Sequence, residues 1–226
     1  MIPASLIRCR GCLGPLAGAC RAGLCGRCWE GLAPLPEERC PRCALPHGAG
    51  EACPEPLAWV RGDALWTYRA GRPALGALLV PGIKRGERGW KAALLERAAL
   101  APLPGFAGAA DLVCSAPTAA ARRWIRGFDL AEEAAALFAR RLRRPWCRLL
   151  RKAWFAPAQA GQSEGRRRRL PAGAVALRRG RLGGETVLLV DDVWTTGTTL
   201  LRCAQALARG GAGEVAVLTL FRAMPG

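Results

Sequence analysis

The sequence predicts an α/β protein, a mainly parallel sheet with flanking helices, preceded by a small Cys-rich metal-binding domain. Three observations predict it. After residue 57, strand-like runs alternate with amphipathic helical stretches. One of those runs, Thr186 to Val190, is almost continuously apolar, as expected of a central parallel strand buried on both faces. Eight of the eleven Cys lie within the first 53 residues. The other three, Cys114, Cys147 and Cys203, sit inside apolar stretches and read as small buried hydrophobes.

The Cys-rich segment comes first. Cys9-x-x-Cys12 and Cys25-x-x-Cys28 are separated by 12 residues, and two such knuckles supply four thiolates to one tetrahedral zinc ion. Cys40-Pro41-Arg42-Cys43 is a third knuckle. Its partner pair is incomplete, because Cys53 is present but Pro56 stands where a second Cys would complete the motif. A second zinc site would recruit Cys20 or His47, the one His of the chain. A single C-x-x-C would read equally well as a redox motif or a disulfide. Three of them in 35 residues favour metal, provided the thiols stay reduced. No apolar run reaches the ~18 residues of a membrane span, and Met1 to Cys12 lacks the regions of a secretion signal. The expected location is therefore the cytoplasm, with no membrane insertion. A site closed by four Cys has no open position, so this domain reads as scaffold or partner surface. The break at Cys53-Pro54-Glu55-Pro56 divides the chain into residues 1–56 and 57–226.

The second part is read in order. Trp59 to Tyr68 is strand-like, and Pro73 to Val80 is a short helix. Gly89 to Leu100 places Trp90, Ala93, Leu94 and Ala98 at helical spacing. Asp111 to Pro117 is a short strand, Leu130 to Leu142 an Ala- and Leu-rich helix, and Trp146 to Leu150 a candidate strand. Thr186 to Val190 is the central strand, Thr199 to Arg209 a helix closed by Gly210-Gly211, and Glu214 to Phe221 the last strand.

The most informative stretch is Val187-Leu188-Leu189-Val190-Asp191-Asp192-Val193-Trp194-Thr195-Thr196-Gly197-Thr198-Thr199. Two adjacent acids stand at the C-terminal end of the predicted strand, where open α/β sheets bind ligands. A hydroxyl-rich loop around Gly197 then leads into a helix. The helix N-terminus offers free N–H groups and the positive end of its dipole to a phosphate, with Thr195, Thr196, Thr198 and Thr199 as further donors. Asp191 and Asp192 repel phosphate but suit sugar hydroxyls or a bound Mg²⁺. A phosphate and a diol held side by side describe a ribose 5-phosphate site. The alternative is an ordinary strand–turn–helix with a Thr-rich cap. The pattern differs from G-x-x-x-x-G-K-[ST], which lacks paired acids and needs a Lys.

These residues match the phosphoribosyl pyrophosphate (PRPP) motif of type I phosphoribosyltransferases. Together with the Cys knuckles, the chain resembles the ComF family of competence-associated, phosphoribosyltransferase-like proteins. Pro117 followed by Arg122-Arg123-Trp124-Ile125-Arg126-Gly127-Phe128-Asp129 is similar to a further family segment, as are Tyr68 with Ile83-Lys84-Arg85-Gly86 and Gln159 with the Arg run behind it. The chain departs from the family pattern at Asp129-Leu130, Leu170, Trp194 and the last knuckle. The resemblance implies a type I phosphoribosyltransferase fold. It implies Asp191 and Asp192 on the ribose hydroxyls as the catalytic pair, and Val193, Trp194, Thr195, Thr196, Gly197, Thr198 and Thr199 around the 5-phosphate. Arg122, Arg123, Arg126 and Lys84 become pyrophosphate candidates, with structural Zn²⁺ and PRPP-bound Mg²⁺ as cofactors. In catalysis, pyrophosphate would leave C1 of the ribose, and the protein would mainly position the groups and stabilise the departing charge. The alternative is a non-catalytic single-stranded DNA-binding or adaptor protein in competence, docking a helicase or other uptake component and using the PRPP site as a sensor.

Charge bears on that choice. The chain carries 34 Lys+Arg against 17 Asp+Glu, a formal +17, while 51% of its residues are hydrophobic, which excludes a disordered polyelectrolyte. Residues 1–53 hold six Arg and four Glu, whereas residues 140–181 hold 14 basic groups and one acid, Glu164. Arg166, Arg167, Arg168 and Arg169 in that block are candidates for nucleic-acid contact. An Arg-rich genome composition would give the same surplus.

Overall fold

In the computed structural model the described residues are 8–9, 14–15, 25–26, 32–48, 51–54, 56–68, 88–118, 127–152, 173–178 and 180–225. The elements follow as β1 (Arg61–Tyr68), α1 (Arg88–Leu100), a 3-10 turn (Gly105–Ala109), β2 (Leu112–Ser115), α2 (Leu130–Leu142), β3 (Leu150–Lys152), β4 (Val175–Leu177), β5 (Thr186–Trp194), α3 (Thr198–Arg209) and β6 (Glu214–Ala223). Four strands form one sheet in the order β1-β6-β5-β2, with every pairing parallel. β3 and β4 make a separate antiparallel pair.

Alternation along β5 explains its long apolar run. Leu188 and Val190 pack with Leu94 and Ala98 of α1 and Ala134, Ala135 and Phe138 of α2. Val187 and Leu189 face the other way, onto Leu200, Cys203, Ala204 and Leu207 of α3. A strand covered on both faces must be apolar at odd and even positions alike. The helices start and stop for local reasons. The Asp129 carboxylate caps α2 by accepting from Glu132 N at 3.3 Å, and Arg143 closes it in the left-handed conformation (φ 55°). Cys114 and Cys203 are buried within the core, as their apolar surroundings predict.

The expected elements are present with three differences. Trp146 makes only an isolated bridge to Val113, and the strand in that region lies further on, at Leu150–Lys152. β5 continues through the acids to Trp194, and β6 continues to Ala223. The expected helix at Pro73–Val80 lies outside the described residues.

The Cys-rich segment lines the outer edge of β1. Gly62 N donates to Pro41 O and Thr67 N to Ala33 O, each at 2.9 Å. Arg39 grips the buried Asp63 carboxylate with two N–H groups, at 3.0 and 2.8 Å. Cys9 and Leu32 join the apolar cluster on the α1–α2 face, while Leu35, Cys43, Ala44 and Leu45 join the one on the α3 face. An edge strand left open would be a template for pairing with other chains, and this cover removes it. Among the described residues, no helix is long and apolar enough to cross a membrane.

Candidate functional site

The acids sit inside β5, three and two residues before its end, rather than at the strand terminus that the sequence predicts. Asp191 stands opposite Thr219, Val193 opposite Phe221 and Trp194 opposite Arg222. The extension is held by Trp194, whose side chain is fully buried and therefore keeps its backbone in the ladder.

The alternation of sides slips by one residue at the acids. Below them, odd residues face α3 and even residues face α1 and α2. Above them, Val193 packs with the α1–α2 cluster and Trp194 with the α3 cluster. β6 slips at the same level, where Leu220 and Phe221 both join the α1–α2 side. So does β1, where Ala64 faces the α3 side and Trp66 the opposite one. Slips of this kind, like β-bulges, re-aim side chains beside functional sites.

Electrostatics single out the same pair. Burial, then the charge of Asp192, push the Asp191 carboxyl well above the usual carboxylate range. Asp192 N donates to Asp191 Oδ1 at 2.9 Å, and Val193 N donates to Asp192 Oδ1 at 2.7 Å. Asp129, at the start of α2, is also raised, first by burial and in part by Asp192. Crowded carboxylates of this kind are stabilised by a cation or by hydroxyl donors.

The loop that follows is preformed. Gly197 lies at φ 68°, a left-handed conformation that favours Gly, and caps α3 with no side-chain bond. Gly197 thus leaves the first N–H groups of α3 without a cap from the N-cap side chain. The Thr196 and Thr198 hydroxyls meet at 3.0 Å, and Thr195 and Thr196 are exposed. The Trp194 side chain is fully buried. Its ring lies beneath the loop, edge-on to Trp59 with centroids 5.3 Å apart.

Sequence reasoning missed Arg222. This side chain is 1% exposed, and its guanidinium lies 4.4 Å from the Trp194 ring centroid. It donates to Trp194 O at 3.1 Å, to Thr195 O at 2.5 Å and to Cys43 O at 3.0 Å. The signal was a single charge in the otherwise apolar end of a central strand, where it needs converging acceptors.

Cys43 leads to the metal centre. Cys40, Cys43, His47 and Cys53 bring their donor atoms within 4.8 Å of one another. Cys40 Sγ and Cys53 Sγ are 3.7 Å apart, close to the ~3.8 Å edge of a tetrahedron with 2.3 Å zinc–sulfur bonds. Cys43 Sγ and His47 Nε2 are 3.0 Å apart. Burial raises the Cys40 thiol, but N–H donors from Arg42 and Cys43, together with hydrogen bonds to the Cys53 and Cys43 thiols, bring Cys40 down to about 7, while burial pushes Cys43 up to about 12. Three soft thiols and an imidazole around a point fit a structural zinc. Of the two candidates for a fourth ligand, His47 brings its Nε2 into the cluster, and Cys20 lies outside the described residues. In the first knuckle pair, Cys9 is buried and its Sγ accepts from Cys25 N at 3.3 Å, while Cys12 and Cys28 lie outside the described residues. Lys84, Arg122, Arg123, Arg126 and Arg166–Arg169 also lie outside them.

Comparison with known proteins adds family evidence. Residues 127–226 match the model of the phosphoribosyl transferase domain. The DNA utilization protein YhgH of Salmonella typhi is 31% identical over 202 residues, covering 82% of this chain and 84% of that protein. YhgH of Escherichia coli O157:H7 is 30% identical over 213 residues, covering 89% and 91%. Among solved structures, the allosteric regulatory enzyme of purine biosynthesis aligns at 23% identity with a TM-score of 0.38, over 57% of this chain and 25% of that one. The chain thus spans about a quarter of that enzyme's length.

Proposed function

The chain belongs to the ComF family, with a phosphoribosyl transferase domain, and from that membership we propose that it binds PRPP with Mg²⁺ and acts in DNA utilization. The observation that carries this reading is the juxtaposition on β5 and α3. Two crowded carboxylates stand three and two residues before the end of a parallel strand, and a helix N-terminus with no cap from the N-cap side chain follows across a Gly turn. In this reading Asp191 and Asp192 hold the ribose 2- and 3-hydroxyls, and Thr195 to Thr199 cradle the 5-phosphate. Bound Mg²⁺ would be held through these carboxylates and the ligand's phosphates, and would neutralise charge on a departing pyrophosphate. Zinc at Cys40, Cys43, His47 and Cys53 is structural, since four protein ligands leave it no open position. The basic block over residues 140–181, with Arg166–Arg169, supplies a surface for single-stranded DNA.

Calorimetric titration with PRPP and Mg²⁺ tests the site. The wild type binds, and the double variant Asp191→Asn, Asp192→Asn loses about 100-fold in affinity, because both hydroxyl acceptors lose their charge. Unchanged affinity in the double variant overturns the assignment. Pyrophosphate release in the presence of common bases separates the two family roles. Release marks a transferase, and a raised melting temperature without release marks a ligand-sensing adaptor.

A further inference from the structure

The Pro41–Cys43 turn and the loop after β5 are held on one side chain. Arg222 is buried at their junction and donates to the carbonyls of Cys43, Trp194 and Thr195. Each peptide unit is planar and trans, so its N–H points opposite to its C=O. With the Trp194 and Thr195 carbonyls turned in towards Arg222, the N–H groups of Thr195 and Thr196 are turned away from it, and both residues are exposed. The third carbonyl belongs to Cys43, whose thiol is part of the Cys40, Cys43, His47, Cys53 cluster. An ion bound there fixes the Cys43 peptide and hence one of the acceptors that hold the guanidinium in place.

The surrounding contacts tie the same two parts together. Trp59 Nε1 donates to Arg42 O at 2.8 Å while its ring meets that of Trp194. A Cβ on Gly62 would lie 2.5 Å from Arg42 O and 3.0 Å from the Trp194 ring, so the knuckle, β1 and the base of the loop leave no slack between them.

We propose that Arg222 is a positioning residue that couples the metal centre to the phosphate loop. A zinc-class divalent ion in the Cys₃His cluster raises the affinity of the loop for the 5-phosphate of a phosphoribosyl ligand. By reciprocity, that ligand tightens the hold on the ion. The coupling rests on the reading of the loop as a phosphate site.

Ribose 5-phosphate is the probe, used with the zinc-loaded full chain. Its affinity is measured in the wild type, in Cys53→Ser, which removes one ligand of this cluster and leaves the Cys9–Cys28 group intact, and in Arg222→Lys. The transfer of zinc to a chromogenic chelator is measured in parallel, with and without ribose 5-phosphate. The coupling requires Cys53→Ser to bind ribose 5-phosphate about fivefold or more weakly, and ribose 5-phosphate to tighten zinc in the wild type by a similar factor. Arg222→Lys keeps the charge but not the planar fork that spans three carbonyls. It is expected to keep the wild-type circular dichroism spectrum and to lose the effect of ribose 5-phosphate on zinc. Equal ribose 5-phosphate affinity in the wild type and Cys53→Ser overturns the coupling, and so does an undiminished zinc effect in Arg222→Lys. If the zinc-loaded wild type fails to bind ribose 5-phosphate at all, the phosphate reading itself is refuted, and the coupling with it.

Discussion

The knuckle at Cys40–Cys53 and the loop at Thr195–Thr199 both sit against the sheet, and in the function proposed above each holds an ion. They are stabilised in opposite ways. The loop takes its shape from the fold, because β5 ends on a buried Trp194 and α3 begins at a left-handed Gly197. The knuckle takes its shape from its ligands, with three thiols and one imidazole converging at a point. On the proposed function, the difference teaches that loss of the ion would unsettle the knuckle first, whereas loss of a loop side chain would remove binding and leave the fold.

Substitutions sharpen this contrast in graded steps. The largest effect belongs to Cys43→Ser, which removes a metal ligand. It is expected to lower the melting temperature by about 10 °C, as the loss of several kcal/mol of metal-linked stability would. A thermal scan with and without a zinc chelator checks this, and the chelator should act on the wild type far more than on the variant. Gly62→Ala comes next. The added Cβ would meet the Arg42 carbonyl at 2.5 Å, and forced contacts of this kind cost about 1–3 kcal/mol in denaturant titration. Arg39→Ala strips the paired guanidinium from the buried Asp63 and should cost about 2 kcal/mol. If both leave the knuckle's zinc affinity unchanged, the knuckle is less dependent on the sheet than its contacts imply.

The smallest effect has the opposite sign. Asp191 is raised in the folded state, so it binds its proton more tightly there than in the unfolded chain. Its contribution is fully present below the ordinary carboxyl value of about 4 and is lost as the pH rises through the folded value. Without ligand, Asp191→Asn should therefore raise the melting temperature at neutral pH by about 2–4 °C and flatten its fall with rising pH. A wild-type melting temperature that rises over the same range would sink this reading of Asp191.

Legibility in the sequence follows contiguity. The strand, loop and helix from Thr186 to Arg209 were readable because every part of that unit is local. The fourth metal ligand was not fixed, because spacing admits Cys20 and His47 equally and only the fold brings His47 Nε2 to Cys43 Sγ. Arg222 is 28 residues from Trp194 and 179 from Cys43, so no local pattern announces its partners. β3 and β4 have three residues each, too few for a period to register. The slip at Asp191–Asp192 escaped because Val193 and Trp194 are equally acceptable on either face of a doubly covered strand. Only the partners of each side chain reveal which face it took.

The strand order carries a consequence for synthesis. β6 follows the other described strands in sequence, yet it lies between β1 and β5. While a ribosome is still making residues 214–223, β1 lacks its neighbour and the Pro41–Cys43 turn lacks Arg222 beneath it. Cys43, made 179 residues before Arg222, therefore waits for nearly the whole chain before the side chain that holds its carbonyl exists. In that interval the knuckle lies beside a strand without its neighbour, an edge open to wrong pairing. Completion of the sheet and seating of the knuckle on Arg222 become one late event, so a truncated product lacking β6 should lack both.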